Sequence, residues 1–383
     1  MLSRIFLDRD KLSVRYVPEK LPHREKQLRL LNLFFSETFE GREILYARII
    51  QLIGPTGSGK TSSTLLLGRR LEWKARENGI SLIHLYTNLK LEASTKFLFY
   101  KSLAEKLSKN LVLRSVSAEE QFKLILDYLA KMDMYALLTL DEIDVLRRRN
   151  GGVSGIVYDL SRINEIQYQG FNRIIGVLIV ARSRDWRKYL DPAVRSTVGQ
   201  LIVEFPRYTY RQILDILAYR ASQAIKAECI GEGVLEFISE ITSDYAEGDV
   251  RYALDLLLYS GILAENEGSA KITVNHVRKV LKIVSGLPYL DSLNELSKEE
   301  RVLLLSLIEA LKISGTPYVT LSKVKQCYRM LCEERGIRRL ADEEIELVLQ
   351  SLIDRGIVEA RGPGKIGLHE ADIDALEKKL LKP

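Results

Sequence analysis

The rhythm of apolar residues changes near residue 208. Before it, five short, β-branched-rich runs at 47–53, 81–87, 136–140, 174–181 and 200–205 are apolar with little alternation, the pattern of strands covered on both faces. Between them, 61–78, 118–132 and 156–167 repeat apolar residues at three- and four-residue spacing, which predicts helices. Strand alternating with helix implies an α/β domain with a parallel, doubly wound sheet.

From 209 to about 285 the runs stop. Apolar residues now recur at helical spacing, as at Ile213, Ile216, Leu217 and Ala224, then Val234, Phe237, Ile238 and Ile241, then Leu254, Leu257 and Leu258. This predicts an all-helical piece. Residues 285–296, with Gly286 and Pro288, read as a linker. Beyond it lie an amphipathic helix over 298–312, a second from Thr320-Leu321-Ser322 to Gly336, and a third over 342–355. Ile357-Val358 then turns through Arg361-Gly362-Pro363-Gly364-Lys365 and returns as Ile366-Gly367-Leu368. Three helices and a Gly-rich hairpin outline a winged helix. The expected domains are 1–207, 208–286 and 287–383.

Composition narrows the classes. A chain of 383 residues with 46% hydrophobic and 28% charged side chains suits two or three globular domains, not a fibrous or disordered protein. Its longest apolar runs fall short of a membrane span, and its charged beginning, MLSRIFLDRDKL, is unlike a signal peptide. Cys229, Cys327 and Cys332 show no CxxC spacing, which points to a reducing cytoplasm rather than a disulfide framework or a zinc site. A net charge of +6 permits an anionic partner without requiring one.

The strongest chemical signal is Gly54-Pro55-Thr56-Gly57-Ser58-Gly59-Lys60-Thr61, a GxxxxGK[ST] phosphate loop placed directly after a strand and before a helix. Its glycines let successive N–H groups face phosphates, Lys60 reaches the β- and γ-phosphates of ATP or ADP, and Thr61 offers its hydroxyl to Mg²⁺. Such a loop predicts an acidic partner at the end of another strand. Ala136-Leu137-Leu138-Thr139-Leu140-Asp141-Glu142 supplies it, with Asp141 for the Mg²⁺ shell and Glu142 to orient the attacking water.

With these residues the chain resembles the AAA+ initiators of archaeal DNA replication, relatives of the eukaryotic origin recognition complex and cell-division-control loader. Further segments carry the likeness. Residues 17–25, from Val17 through His23 and Arg24, resemble the family's adenine-side segment; 158–165 resemble its LxRINE helix; and Tyr189-Leu190-Asp191-Pro192 resembles its YLDP stretch. Gly248-Asp249-Val250-Arg251 resembles the family's GDxR helix, whose sensor-2 arginine falls on Arg251. The resemblance implies an AAA+ base, a helical lid and a C-terminal winged helix, with weak ATP hydrolysis serving as a conformational switch.

Two positions depart from the family's pattern. Its sensor-1 asparagine falls on Arg182, with Ser183 beside it; either can hydrogen-bond the γ-phosphate or the water, but an arginine is no substitute for an asparagine amide. In the stretch after Asp191-Pro192 the first basic position is Ala193, leaving Arg195 as either an arginine finger or an ordinary surface residue.

For DNA, Lys323, Lys325, Arg329, Arg338 and Arg339 form one basic strip, with Arg361 and Lys365 on the wing. Against this, Asp342, Glu343, Glu344 and Glu346 open the third helix, and residues 291–383 hold 15 basic and 17 acidic side chains. The positive excess therefore lies on the first 290 residues, where Lys96 and Lys101 either track phosphates or form a solvated face, as does Arg147-Arg148-Arg149.

The resemblance implies a cytoplasmic, nucleoid-associated initiator with origin DNA, a paralogous initiator and the replicative minichromosome maintenance helicase as partners. The alternative is a regulatory or signalling NTPase whose winged helix binds protein or a promoter.

Overall fold

The computed structural model describes residues 3–35, 46–93, 95–108, 111, 116–144, 152–165, 173–285, 296–354, 357–361, 364–368 and 373–380. The chain divides into two compact units. The first, called the base below, comprises residues 17–212 and 247–250; the second comprises 1–16, 213–246 and 251–383.

The base is built on β1 (Arg48–Ile53), β2 (Ser81–Asn88), β3 (Met134–Asp141), β4 (Ile174–Ala181) and β5 (Ile202–Glu204). These strands pair in parallel in the order β2-β3-β4-β1-β5. Every residue of β4 is buried, as a strand covered on both faces requires. Alternate residues feed two cores. Leu138, Leu140, Val177 and Ile179 face α3 (Lys96–Leu107), α4 (Ala118–Lys131) and α5 (Gly152–Ser161), while Leu137, Leu178 and Val180 face α1 (Glu25–Phe35) and α2 (Lys60–Glu77). A short α6 (Pro192–Thr197) precedes β5.

The helix expected over 156–167 instead runs over Gly152–Ser161 and yields to a turn. Asn164 there donates to the carbonyl of Ala47 at 3.1 Å and accepts from its N–H at 2.5 Å. A side chain spent on another segment's backbone favours a turn over continued helix.

In the second unit, α7 (Tyr210–Ala224, its first turn in the base) leads to α8 (Val234–Tyr245), α9 (Val250–Asn266) and α10 (Val274–Ser285). Residues 3–16 strap onto this helical piece: Phe6 bridges Ile225, and the buried Arg220 donates to the carbonyls of Lys11 at 2.6 Å and Ser13 at 3.0 Å. The C-terminal portion contains α11 (Lys298–Ser314), β6 (Tyr318–Thr320), α12 (Leu321–Arg335), α13 (Asp342–Asp354), β7 (Val358–Arg361), β8 (Lys365–Leu368) and α14 (Ile373–Leu380). Leu303, Leu307, Tyr328, Leu349 and Ile366 fill its core.

This winged helix carries a three-stranded antiparallel sheet, β6-β8-β7, rather than the two-stranded hairpin expected. The third strand, Tyr318-Val319-Thr320, is too short to register as a sequence pattern. Most of the expected linker, the wing tip at 362–363 and Arg147-Arg148-Arg149 lie outside the described residues. Among the described residues, no helix is long and apolar enough to cross a membrane.

Candidate functional site

Residues 54–59 leave the end of β1 and enter α2 at Lys60, beside the place where strand order reverses, which is where open α/β sheets take their ligands. Gly57 and Gly59 have φ of 69° and 85°, left-handed values that disfavour any Cβ. Lys60 is buried, and its ammonium donates to the carbonyls of Gly54 and Pro55, each at 2.6 Å.

The acidic partner arrives on β3. Asp141 is buried, and its Oδ2 accepts from the Thr61 hydroxyl at 2.7 Å. Two residues that sequence spacing alone places eighty positions apart therefore meet. Oδ2 also accepts from the Tyr86 hydroxyl at 2.8 Å, while Oδ1 accepts from the Glu142 N–H at 2.8 Å. Glu142 itself has φ of 57°, an uncommon backbone for a non-glycine residue and one that clusters at functional sites.

Tyr86 was not among the sequence candidates. Burial first, and Asp141 second, push its phenol well above the ordinary range, so it stays a donor. Its faint signal was position: it lies two residues before the last residue of β2, on the face shared with Asn88, which pairs with Asp141.

The expected adenine-side residues have other contacts. Val17 packs with Leu28 and Leu66, and its carbonyl accepts from Arg69 at 3.1 Å. The His23 carbonyl accepts from Arg24 at 2.9 Å. Arg24 is committed to protein backbone, with Nε on the Ser58 carbonyl at 2.8 Å and Nη2 on the Pro206 carbonyl at 2.7 Å.

Of the sensor candidates, Arg182 is exposed, and its backbone N–H donates to Asp144 at 2.7 Å. Ser183 caps the following 3₁₀ turn. Arg195 folds onto its own segment, donating to the Leu190 carbonyl at 3.1 Å. Arg251 is exposed at the second position of α9.

The candidate DNA residues are mostly paired with acids. Lys96 lies 2.7 Å from Glu119 and 2.9 Å from Asp159, and Lys101 lies 3.8 Å from Glu105. On the winged helix, Lys325 lies 2.9 Å from Glu346 and 3.4 Å from Asp342; Arg329 also meets Asp342, and Arg339 meets Glu333.

Arg361, the wing residue expected to contact DNA, is held in an acidic cluster. It lies 3.2 Å from Asp244 and 3.5 Å from Glu240 of α8, and 3.4 Å from Glu359, over the Tyr318 ring. Burial raises the Glu240 carboxyl despite the opposing pull of Arg361. Lys323, Arg338 and Lys365 make no ion pair among the described residues.

Two family models match, the Cdc6 AAA+ ATPase-type lid domain over 214–282 and the CDC6 C-terminal winged helix domain over 291–371. ORC1-type DNA replication protein 2 of Saccharolobus solfataricus is 30% identical over 367 residues, covering 94% of this chain and 87% of that protein. The crystal structure of Cdc6p from Pyrobaculum aerophilum superposes with a TM-score of 0.78 at 29% identity, over 98% of this chain and 97% of that one. The Aeropyrum pernix ORC1 protein in complex with DNA gives 0.66 at 26% identity, over 99% and 97%.

Proposed function

The chain belongs to the archaeal ORC1/Cdc6-type family of replication initiators, and from that membership we propose that it is an ATP-dependent initiator that binds duplex origin DNA and helps recruit the replicative minichromosome maintenance helicase. The observation that carries the nucleotide part is the 2.7 Å bond from Thr61 to Asp141 behind the phosphate loop.

These residues suit a magnesium nucleotide. A hydroxyl and a carboxylate converge at one point, hard oxygen donors of the kind Mg²⁺ takes through few protein ligands and several waters. Bound Mg²⁺ would neutralise charge on the phosphates. The loop's N–H groups and the positive start of α2 hold the phosphates, and Lys60 leaves the Gly54 and Pro55 carbonyls to reach them. Asp141 is held in orientation by three donors, and Glu142 orients and polarises water. Arg251 is the sensor-2 residue by its place in the Gly248-Asp249-Val250-Arg251 motif. Turnover is slow, because Arg182 stands where an amide is expected.

The winged helix and the DNA complex of the Aeropyrum relative support the DNA part. Footprinting across the chain's own genomic neighbourhood, with and without ATP, tests it: protection at discrete sites that responds to nucleotide is expected, and uniform cleavage sinks the reading. A second reading, in which the winged helix binds protein, is favoured by one observation, the pairing of Lys325 and Arg329 with α13 acids. A duplex titration across salt separates the two, since phosphate neutralisation gives a steep slope.

A further inference from the structure

Three consecutive residues of the phosphate loop are each backed by a different part of the base. A Cβ added at Gly57 would lie 1.9 Å from Oδ1 of Asp249 and 2.7 Å from its Cα. The Ser58 carbonyl accepts from Nε of Arg24 at 2.8 Å. A Cβ at Gly59 would lie 2.7 Å from the Tyr208 hydroxyl. The glycines thus serve close approach as well as backbone shape. The segment after β5 follows the loop from its first residue, because a Cβ at Gly54 would meet the Phe205 carbonyl at 2.1 Å.

Arg24 joins these pieces. Its side chain sits in a residue only 1% exposed. Its three nitrogens donate to three backbone carbonyls: Ser58 in the loop, His23 in the N-terminal segment at 2.9 Å, and Pro206 after β5 at 2.7 Å. The Tyr208 ring stacks on the guanidinium with its carbon 3.7 Å from the ring centre. A buried guanidinium that spends three of its five N–H donors, one from each nitrogen, on backbone carbonyls and has one face covered by a ring is built into the protein rather than turned to an adenine.

We propose that Arg24 is a positioning residue that fixes the phosphate loop in its phosphate-binding conformation, rather than a contact to the adenine. This rests on the reading of the loop as a nucleotide site. A trans peptide sets its carbonyl and N–H in opposite directions. By holding the Ser58 carbonyl on its own side, Arg24 fixes the Gly59 N–H on the opposite side of the loop backbone. A loop already ordered in this way loses less entropy when it takes up phosphate. Lysine cannot replace Arg24, because one ammonium does not span three carbonyls in the plane of a stacked fork.

The test is Arg24→Lys in the full chain, titrated calorimetrically with ADP and with inorganic tripolyphosphate where circular dichroism shows the variant folded. Loss of a charged hydrogen-bond set predicts weakening of about tenfold to a hundredfold, by the same factor for both probes. In steady-state ATP turnover the deficit falls on KM while kcat stays within about twofold, since loop order governs binding and Glu142 governs water. Unchanged affinity for both probes overturns the proposal. So does a loss confined to ADP, which would return Arg24 to the base, or a loss confined to kcat. If the wild-type chain binds neither probe, the nucleotide-site reading itself fails and takes this inference with it. Should Arg24→Lys fail to fold, Tyr208→Leu removes both the stacked ring and the hydroxyl against Gly59 and carries the same comparison.

Discussion

The ammonium of Lys325 on α12 lies 2.9 Å from the Glu346 carboxylate on α13, so the centre of the winged helix's basic strip is held by acids of the next helix. Asp342 joins both Lys325 and Arg329, at 3.4 Å each. A duplex phosphate that takes Lys325 or Arg329 must displace these acids. The double substitution Asp342→Asn and Glu346→Gln is therefore expected to raise affinity for every duplex sequence. It should also steepen the dependence of log K on log salt by about one to two, roughly 0.9 per phosphate newly neutralised. Fluorescence anisotropy across a salt series checks this, and an unchanged slope moves the contact surface off α12. Reversing Lys323 and Lys325 to Glu should conversely weaken binding to all sequences alike.

The nucleotide site makes a paired prediction. Lys60→Ala should abolish binding of ATP and ADP, because the loop loses its only buried ammonium, whereas Glu142→Gln should bind as wild type and lose turnover. Fluorescent-nucleotide titration and phosphate release measure the two separately. Turnover in Glu142→Gln equal to wild type would remove the water-orienting role.

Much of this site was legible because its chemistry is local in sequence. The run 54–61 declares a phosphate loop by glycine and lysine spacing, and Asp141-Glu142 declares itself by closing an apolar strand. What meets those residues was not legible. Arg24 reaches Pro206 across 182 positions, and Arg361 reaches Asp244 through a helix-to-hairpin contact that no periodicity encodes. The family resemblance put Arg24 in the adenine-side segment, and only the fold shows its donors on the carbonyls of Ser58, His23 and Pro206. Similarly, charge counting over residues 291–383 showed that acids balance bases, but only the packing of α13 on α12 showed which acid holds which base.

Arg251→Ala addresses the sensor-2 assignment. If the arginine contacts the γ-phosphate only as charge develops there, ATP affinity should stay within about tenfold of wild type while hydrolysis falls severely. Equal losses in binding and hydrolysis would mean a ground-state contact instead. Equilibrium binding and single-turnover hydrolysis on one preparation distinguish them.

The Arg361 cluster predicts a structural cost with little DNA effect. Glu359 accepts from the Tyr245 hydroxyl at 3.0 Å, also from Tyr318, and pairs with Arg361 at 3.4 Å. Glu359→Gln should destabilise this unit by about 2 kcal/mol, since it leaves a partly buried guanidinium short of charge. Arg361→Ala should weaken duplex binding less than Lys323→Ala does, because Lys323 has no acid to leave among the described residues. Denaturation followed by tyrosine fluorescence reads the first, and anisotropy the second; an Arg361 effect as large as that of Lys323 would place the wing on DNA.

His84 makes the base more sensitive to acid. It lies on β2 against α2 and β3, with its ring 2.8 Å from the Thr139 hydroxyl, its backbone N–H donating to the Glu72 carboxylate at 2.7 Å, and its Nδ1 2.0 Å from where a Gly68 Cβ would stand. Burial lowers its value from 6.5 to about 4. The unfolded chain therefore takes up this proton first as pH falls. The His84 contribution is whole above pH 6.5, drains away as pH drops towards about 4, and changes no further below that. The full swing is at most about 3 kcal/mol, from 1.36 kcal/mol for each pH unit separating the two values. Urea midpoints of wild type and His84→Gln, compared from neutral pH down to about 4, isolate it from the carboxylates common to both. The wild-type curve should fall more steeply than the variant's within that window, and parallel curves would show that His84 takes up its proton as readily in the folded base as in the unfolded chain.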